Sequence, residues 1–240
     1  MYSSHLPKSA YRYFDVMMTL FVAILILSNI ASSAKIVDLG FSLFGIRLAF
    51  DGGTLLFPLA YVLGDVLTEV YGFKASRRVI YTGFAVLAFS ALVFFVLRVL
   101  PAESSWEEET GTAAYNAILG GMSSGGIVLA SLAGYLVGAS FNSVLLSKIK
   151  VIMRGRLLWF RAVTSSLVGE LLDSLIFVSI ACLTGVFGWH LFITLALTNY
   201  ILKCLIEALV LPVTYAVTRM LKKREGIDVY DVGIKYRPFG

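Results

Sequence analysis

Residues 57–71 read FPLAYVLGDVLTEVY, an apolar stretch of helical length that contains two acids. Every fourth position is aromatic or acidic: Phe57, Tyr61, Asp65 and Glu69. In a helix these positions form one slowly drifting stripe. An acid at the centre of a membrane helix costs at least ~2.5–3.5 kcal/mol, so it usually marks a site or a route for something polar.

The composition indicates an integral membrane protein whose solvent is the lipid bilayer. The 240 residues are 58% hydrophobic and only 15% charged, whereas soluble domains carry roughly a quarter charged residues. The net charge of +5 does not predict a nucleic-acid partner, because the basic residues lie between apolar stretches and membrane topology explains them. We expect one membrane domain over residues 1–240.

Six stretches are long and apolar enough to cross a bilayer. They cover residues 15–34, 53–71, 79–100, 124–146, 162–184 and 190–218. The predicted fold is therefore an all-α bundle of six transmembrane helices. The first outer loop contains FSLFGIRLAF at 41–50, which predicts either a short β-hairpin lid or an irregular loop. The second outer loop, 101–123, is predicted to contain a short amphipathic helix at 113–119.

Charge in the connecting segments predicts the orientation. One set of connections, together with both tails, carries most of the basic residues: Lys8, Arg12, Lys74, Arg77, Arg78, Lys148, Lys150, Arg154, Arg156, Arg161, Arg219, Lys222, Lys223, Arg224, Lys235 and Arg237. The other set holds Lys35, Arg47 and Arg98 beside an acidic run at 103–109. The positive-inside rule then places both termini in the cytoplasm and makes the number of spans even.

The fourth span carries a stripe of small residues that lets another helix approach closely. Its members recur every four positions: Gly126, Ala130, Gly134, Gly138 and then Asn142. The stripe predicts close packing within one bundle or, alternatively, the interface of a homo-oligomer.

Two further polar stripes lie in spans five and six. Span five carries Ser166, Glu170, Asp173 and Phe177, and span six carries Asn199, Lys203 and Glu207. With a rise of ~1.5 Å per residue, all three stripes reach similar depths, which predicts one central cavity. Pairing between Lys203 and Glu207, and between Glu69 and Arg77 or Arg78, is the purely structural alternative. However, five embedded acids face one embedded lysine, so the surplus acids must be protonated, hydrated or bound to a ligand.

These residue types favour a flat solute that is rich in hydrogen-bond donors. A carboxylate accepts two parallel N–H bonds, as the amidine-like edge of guanine offers, while Phe57, Tyr61 and Phe177 could stack on its faces. Amines, guanidinium compounds and protons would also satisfy the acids. The sequence has no HExxH, no zinc-spaced Cys/His set, no embedded Ser/His pair and no GxxxxGK[ST] loop. We therefore expect no catalytic residues, bound metal or cofactor, although spacing alone leaves an aspartyl hydrolase open.

Several strings resemble the queuosine-precursor transporter family, part of the wider vitamin-uptake transporter group. The most specific is DGGTLLFPLAYVLGDVLTEVYGFKASRRVIYTGF at 51–84. Others are SNIASSAKIVDLG at 28–40, FRAVTSSLVGELLDSLIFVSIA at 160–181, KCLIEALVLPVTYAV at 203–217 and KREGIDVYDV at 223–232. Together they cover almost the whole chain.

The resemblance implies a six-span importer in the inner (plasma) membrane, which takes up 7-deazaguanine bases for salvage into the queuosine of transfer RNA. Substrates of such a family include 7-cyano-7-deazaguanine and 7-aminomethyl-7-deazaguanine. Carried over by motif, the positions of family type are Asp65, Glu69, Glu170, Asp173, Lys203 and Glu207. Two other functions stay open: a substrate-binding subunit that needs a separate ATPase module, and an intramembrane hydrolase.

Overall fold

The computed structural model describes residues 11–43 and 46–236 of the chain. Eight α-helices occur in the described residues: α1 Phe14–Ala34, α2 Phe57–Tyr71, α3 Phe73–Val99, α4 Ser104–Glu109, α5 Gly111–Ser123, α6 Gly125–Ile152, α7 Leu158–Leu183 and α8 Phe192–Glu225. Two strands, β1 Ile36–Leu43 and β2 Ile46–Asp51, follow α1. Short 3-10 helices precede α2 at Gly52–Leu55 and α8 at Trp189–Leu191.

Six helical segments of the described chain are long and apolar enough to cross a membrane, which confirms the predicted all-α fold and its six spans. The spanning helices are α1, α2, α3, α6, α7 and α8, and their most apolar windows have mean hydropathies of 1.3 to 2.3. Large hydrophobic side chains such as Phe89, Ile193 and Leu209 are exposed on their outer faces. In a bilayer these faces meet lipid, while buried polar residues occupy the interior.

The turn between the second and third spans is tighter than the sequence predicts. We expected a connection over residues 72–78, but α3 begins at Phe73, directly after Gly72. Gly72 has a φ of +83°, a conformation that residues with a Cβ rarely adopt. The chain therefore reverses direction at one residue, and Lys74, Arg77 and Arg78 belong to the first turns of α3.

The first connection forms the β-hairpin that was one of the two predicted alternatives. Its strands are antiparallel, with Ile36 opposite Asp51 and Leu43 opposite Ile46. The turn at 44–45 lies outside the described residues. In the next connection on this side, α4 and α5 replace the single short helix predicted at 113–119, and α5 packs on α1 and α3.

Both ends of the described chain lie on the same side of the bundle. The backbone N–H groups of Arg12 and Tyr13 donate to the carboxylate of Glu225, which also accepts from the Tyr71 hydroxyl at 2.8 Å. We call this side the terminal side and the opposite one the hairpin side. An even number of spans requires this arrangement, while the cytoplasmic location of the terminal side stays a prediction.

The small-residue stripe of α6 packs against α7 of the same chain. A Cβ added at Gly134 would lie 2.8 Å from Asp173 Oδ1, and one added at Gly169 would lie 2.9 Å from the backbone oxygen of Gly138. Since α7 approaches the stripe closely, these small residues pack helices within one chain, which was the first of the two predicted alternatives. The homo-oligomer interface on span four stays a prediction. Close approach of α6 and α7 also brings the polar residues of both helices together.

We predict that Gly169→Ala destabilises the protein by about 1–3 kcal/mol, the usual cost of overpacking. The added methyl group meets backbone of α6, which cannot rotate away. Gly125→Ala is the matched control, because nothing lies within 4 Å of a Cβ at that position. The measurement is unfolding of the detergent-purified protein, and equal stability of the two variants would contradict the close packing of α6 on α7.

Candidate functional site

A small cavity lies beneath the β-hairpin, between α1, α2, α6, α7 and α8. Five of the residues predicted for substrate binding line it: Phe57, Asp173, Phe177, Asn199 and Lys203. The structure therefore brings together half of the predicted site residues in one place, and it places the other half elsewhere.

The charges in this cavity form an ion pair between α7 and α8. The Lys203 ammonium donates to Asp173 Oδ2 at 2.5 Å, and it lies 4.7 Å from the centroid of the Phe57 ring. The alternative pairing of Lys203 with Glu207 is wrong. Lys203 and Glu207 are four residues apart and lie on the same face of α8. The ammonium of Lys203 nevertheless pairs with the carboxylate of Asp173 on the neighbouring helix α7.

Polar residues that the sequence analysis did not select also line the cavity. They are Asn29, Ser32, Asp51, Thr54, Ser131 and Ser174. Asp51 ends β2 and caps the 3-10 helix, where its carboxylate accepts from Gly53 N at 3.1 Å and from Thr54 Oγ1 at 3.0 Å. The cap fixes Asp51 at the hairpin end of the cavity. Asn29, a buried amide inside the first apolar span, carried a signal that sequence reasoning could have used.

Three acids form a second group one helical turn closer to the terminal side. We call Asp65, Glu170 and Glu207 the acid cluster, and all three are at most 5% exposed. Asp65 accepts a hydrogen bond from Asn142 Nδ2 at 2.7 Å, and Glu170 Oε2 accepts from the Cys204 thiol at 3.2 Å. Within the described residues, no Lys, Arg or His nitrogen comes within 4.0 Å of these carboxylates.

Tyr61 lines a second and more aromatic cavity, and the centroid of its ring lies 6.1 Å from that of Phe57, which lines both cavities. The Tyr61 hydroxyl donates to the backbone oxygen of Gly169 at 3.4 Å. Phe21, Tyr135 and Asn142 are among the other lining residues, and the lining includes no Asp, Glu, Lys, Arg or His. This cavity lacks the charges that could orient a polar solute.

Glu69 lies in a third group, near the terminal side, and is fully enclosed by cations. Arg161 binds both of its carboxylate oxygens, at 2.6 and 3.2 Å, and Lys222 binds Oε1 at 2.6 Å. Lys150 lies 3.5 Å from the same oxygen. Arg77 and Arg78, the predicted partners, are not the residues that bind this carboxylate. We call Glu69, Lys150, Arg161, Lys222 and Asp228 the ion cluster.

The segment after α8 covers the ion cluster from the terminal side. Asp228 accepts from Lys150 at 2.6 Å and lies 2.9 Å from Lys222. Burial alone would raise the pKa of Asp228, but the two ammonium groups outweigh it and hold that pKa below its ordinary value. Asp231 accepts from Phe73 N at 2.8 Å and from Ser147 Oγ at 2.6 Å. These contacts hold the segment after α8 across the terminal side of the bundle and close it.

The sequence analysis missed the role of Lys150 and Arg161, which it assigned to a cytoplasmic connection. Both belong to helices, and both are at most 2% exposed. A basic residue at a helix end can extend its long side chain toward solvent or into the bundle. The number of basic residues in a connection therefore supports the membrane topology, but it does not show which side chains are buried. The excess of acids inside the spans was the available signal.

Comparison with known proteins agrees with this architecture. Residues 51–217 match the family described as "Putative vitamin uptake transporter". The chain belongs to this vitamin uptake transporter family. The matched range extends from Asp51 to Val217, about three quarters of the way along α8, so it contains the acid cluster and most residues that line the cavity beneath the hairpin.

Two curated relatives named "Probable queuosine precursor transporter" are similar to this family member. The protein of Bacillus subtilis (strain 168) is 28% identical over 184 residues, which cover 76% of this chain and 77% of that protein. The protein of Haemophilus influenzae (strain ATCC 51907 / DSM 11121 / KW20 / Rd) is 27% identical over 130 residues, 54% of this chain and 50% of that protein. No solved structure gives a significant match. Six apolar spans and the family together identify a multi-pass membrane protein of a transporter family.

We predict that Glu69→Gln and Glu207→Gln differ in stability. Removing the Glu69 charge leaves the Arg161 guanidinium buried without a full partner, and breaking a buried ion pair in this way costs about 3–5 kcal/mol. Glu207 has no such cation, so its amide variant should unfold like the wild type. Denaturation of the two purified variants in the same detergent provides the measurement. Equal losses in both would contradict the separation of the ion cluster from the acid cluster.

Proposed function

We propose that this transporter imports a 7-deazaguanine base, a precursor of queuosine, and binds it in the cavity beneath the hairpin. The observation that carries this proposal is the joint presence of a carboxylate, an ammonium group, an amide and two aromatic rings around one cavity. The printed names of the two curated relatives support the choice of substrate.

Hydrogen-bond chemistry supports a guanine-like ring over other flat solutes. The edge of such a ring presents two N–H donors beside a carbonyl oxygen. Asp173 can accept from the donors, and the Lys203 ammonium beside it can donate to the carbonyl oxygen. The Asn199 side chain both donates and accepts, so it suits either part of the edge. A ring without the exocyclic amino group would leave an acceptor of Asp173 unused.

Aromatic side chains in the same cavity support a planar ligand. Phe57 and Phe177 come from different helices, α2 and α7, and both line the cavity. The face of the Phe57 ring is accessible to the Lys203 ammonium at 4.7 Å, and the same face suits a flat π-system. Phe57 and Phe177 can stack on the faces of a base while Asp173 and Lys203 form hydrogen bonds with its edge.

The arrangement of polar groups along the bundle supports import by alternating access. The cavity lies at the hairpin side, whereas the ion cluster and the segment after α8 close the terminal side. With the terminal side in the cytoplasm, as the positive-inside rule predicts, the cavity lies in the outer half of the bundle and the described conformation is closed toward the cytoplasm. Release inside would then require the ion cluster to open.

We predict that Asp173→Asn removes the preference for the exocyclic amino group. The wild type should bind 7-deazaguanine about 10- to 100-fold better than 7-deazahypoxanthine, which lacks that group, because a hydrogen bond to a charged partner contributes about 1.5–3 kcal/mol. In the variant the ratio should fall to a few-fold at most. Binding of both bases to purified protein provides the measurement.

Asp15→Asn is the matched control, because Asp15 is an exposed acid at the start of α1. It should retain the wild-type ratio of affinities. The ratio separates recognition of the base from general damage, since misfolding lowers binding of both bases equally. If the ratio of the two affinities is unchanged in Asp173→Asn, Asp173 is not the group that accepts hydrogen bonds from the edge of the ring.

A further inference from the structure

We propose that the acid cluster is a proton-binding site that couples import of the base to entry of protons. This inference rests on the proposed function and adds the driving ion, which the substrate-binding cavity does not specify. Asp65, Glu170 and Glu207 come from α2, α7 and α8. They meet inside the bundle, between the cavity beneath the hairpin and the ion cluster.

The hydrogen bonds around Glu170 point to a proton as the ligand. Its Oε1 atom is buried and has no partner among the described donors, while the residue itself is 0% exposed. The neighbouring carboxyl group is that of Glu207, which interacts electrostatically with Glu170. Two carboxylates are both acceptors, so they can share a hydrogen bond only when one of them holds a proton.

The other ionisable groups that face the cluster do not neutralise it. Those groups are Tyr61, Glu69, Asp173, Tyr200, Lys203 and Cys204. Lys203 already binds Asp173, and Glu69 is held by the cations of the ion cluster. The tyrosines and the thiol bring no positive charge. Neutralisation of three buried acids in a membrane interior therefore falls to protons.

Lys203 provides the physical link between the base and the protons. Its ammonium binds Asp173 and acts electrostatically on Glu170, one helical turn away in α7. A base bound across Asp173 and Lys203 keeps the ammonium in the cavity, so Glu170 and Glu207 retain their shared proton. After the base leaves, Lys203 can turn to Glu170, and the proton is released to the terminal side. Base and proton then move in the same direction.

The test uses the purified full chain in liposomes with labelled 7-cyano-7-deazaguanine. Exchange of labelled for unlabelled base at equal pH measures binding and movement without net proton transfer. Accumulation under an inside-alkaline gradient measures coupling. With one proton per base, a gradient of about one pH unit can sustain about tenfold accumulation, and an uncoupler should abolish it.

Glu170→Gln and Glu207→Gln should keep exchange but lose accumulation, because an amide imitates the protonated acid and cannot release its proton. Glu225→Gln is the matched control, since that acid accepts from Arg12, Tyr13 and Tyr71 outside the cluster. It should exchange and accumulate like the wild type.

Wild-type protein that exchanges the base but accumulates it without regard to pH, or only under a sodium gradient, would overturn the inference. So would wild-type accumulation by both glutamine variants. Should the variants fail to fold, acidification of the liposome interior by the wild type on addition of base decides the matter alone. Absence of exchange by the wild type would instead overturn the proposed function, and this inference with it.

Discussion

A charge inside a membrane protein has to be neutralised within the protein, and this constraint organises the whole bundle. In the described structure, the embedded acids lie at three depths along the bundle, and each depth satisfies this constraint in a different way. Glu69 near the terminal side is enclosed by cations, and Asp173 near the hairpin is paired with Lys203. The acid cluster between them has no cation of its own. In the proposed mechanism, the ion cluster keeps its end of the interior closed, while the two levels nearer the hairpin bind the base and the protons.

This order of levels gives the helices their functional roles. α6 and α7 pack closely through small residues, so they are suited to move as a unit. α2 and α8 each take part at every level, because α2 carries Phe57, Asp65 and Glu69 in succession. A change of access would require the ion cluster to separate, and its residues come from four helices and the segment after α8. In the proposed mechanism, the ion cluster is therefore the closure on the cytoplasmic side.

The sequence predicted the six spans well because apolar length is a property of one helix at a time. It predicted the close packing of α6 for the same reason. It did not predict which acid meets which cation, because a stripe at four-residue spacing extends ~6 Å along the helix for each step. Asp65 and Glu69 share a face of α2 but meet different neighbours. Such pairings depend on how the helices are placed relative to each other, and the sequence of one helix does not contain that information.

The charge pattern of the connections also gave a wrong prediction for residues with long side chains. Lys150 and Arg161 were counted as charges of a connection, yet both reach inward to Glu69. Asp51 was left out because it precedes the second helix, although its capping role fixes it at the cavity. In both cases the chemistry was visible in the sequence, and the missing information was the direction of the side chain.

The most direct test of this account is an experimental structure with 7-cyano-7-deazaguanine bound. We expect the base in the cavity beneath the hairpin, with its N–H edge on Asp173, its carbonyl oxygen on Lys203 and its faces against Phe57 and Phe177. Glu69 should remain bound by Arg161. A base in the second cavity beside Tyr61 and Tyr135, or in contact with Glu69, would contradict the division of the embedded charges proposed for this protein.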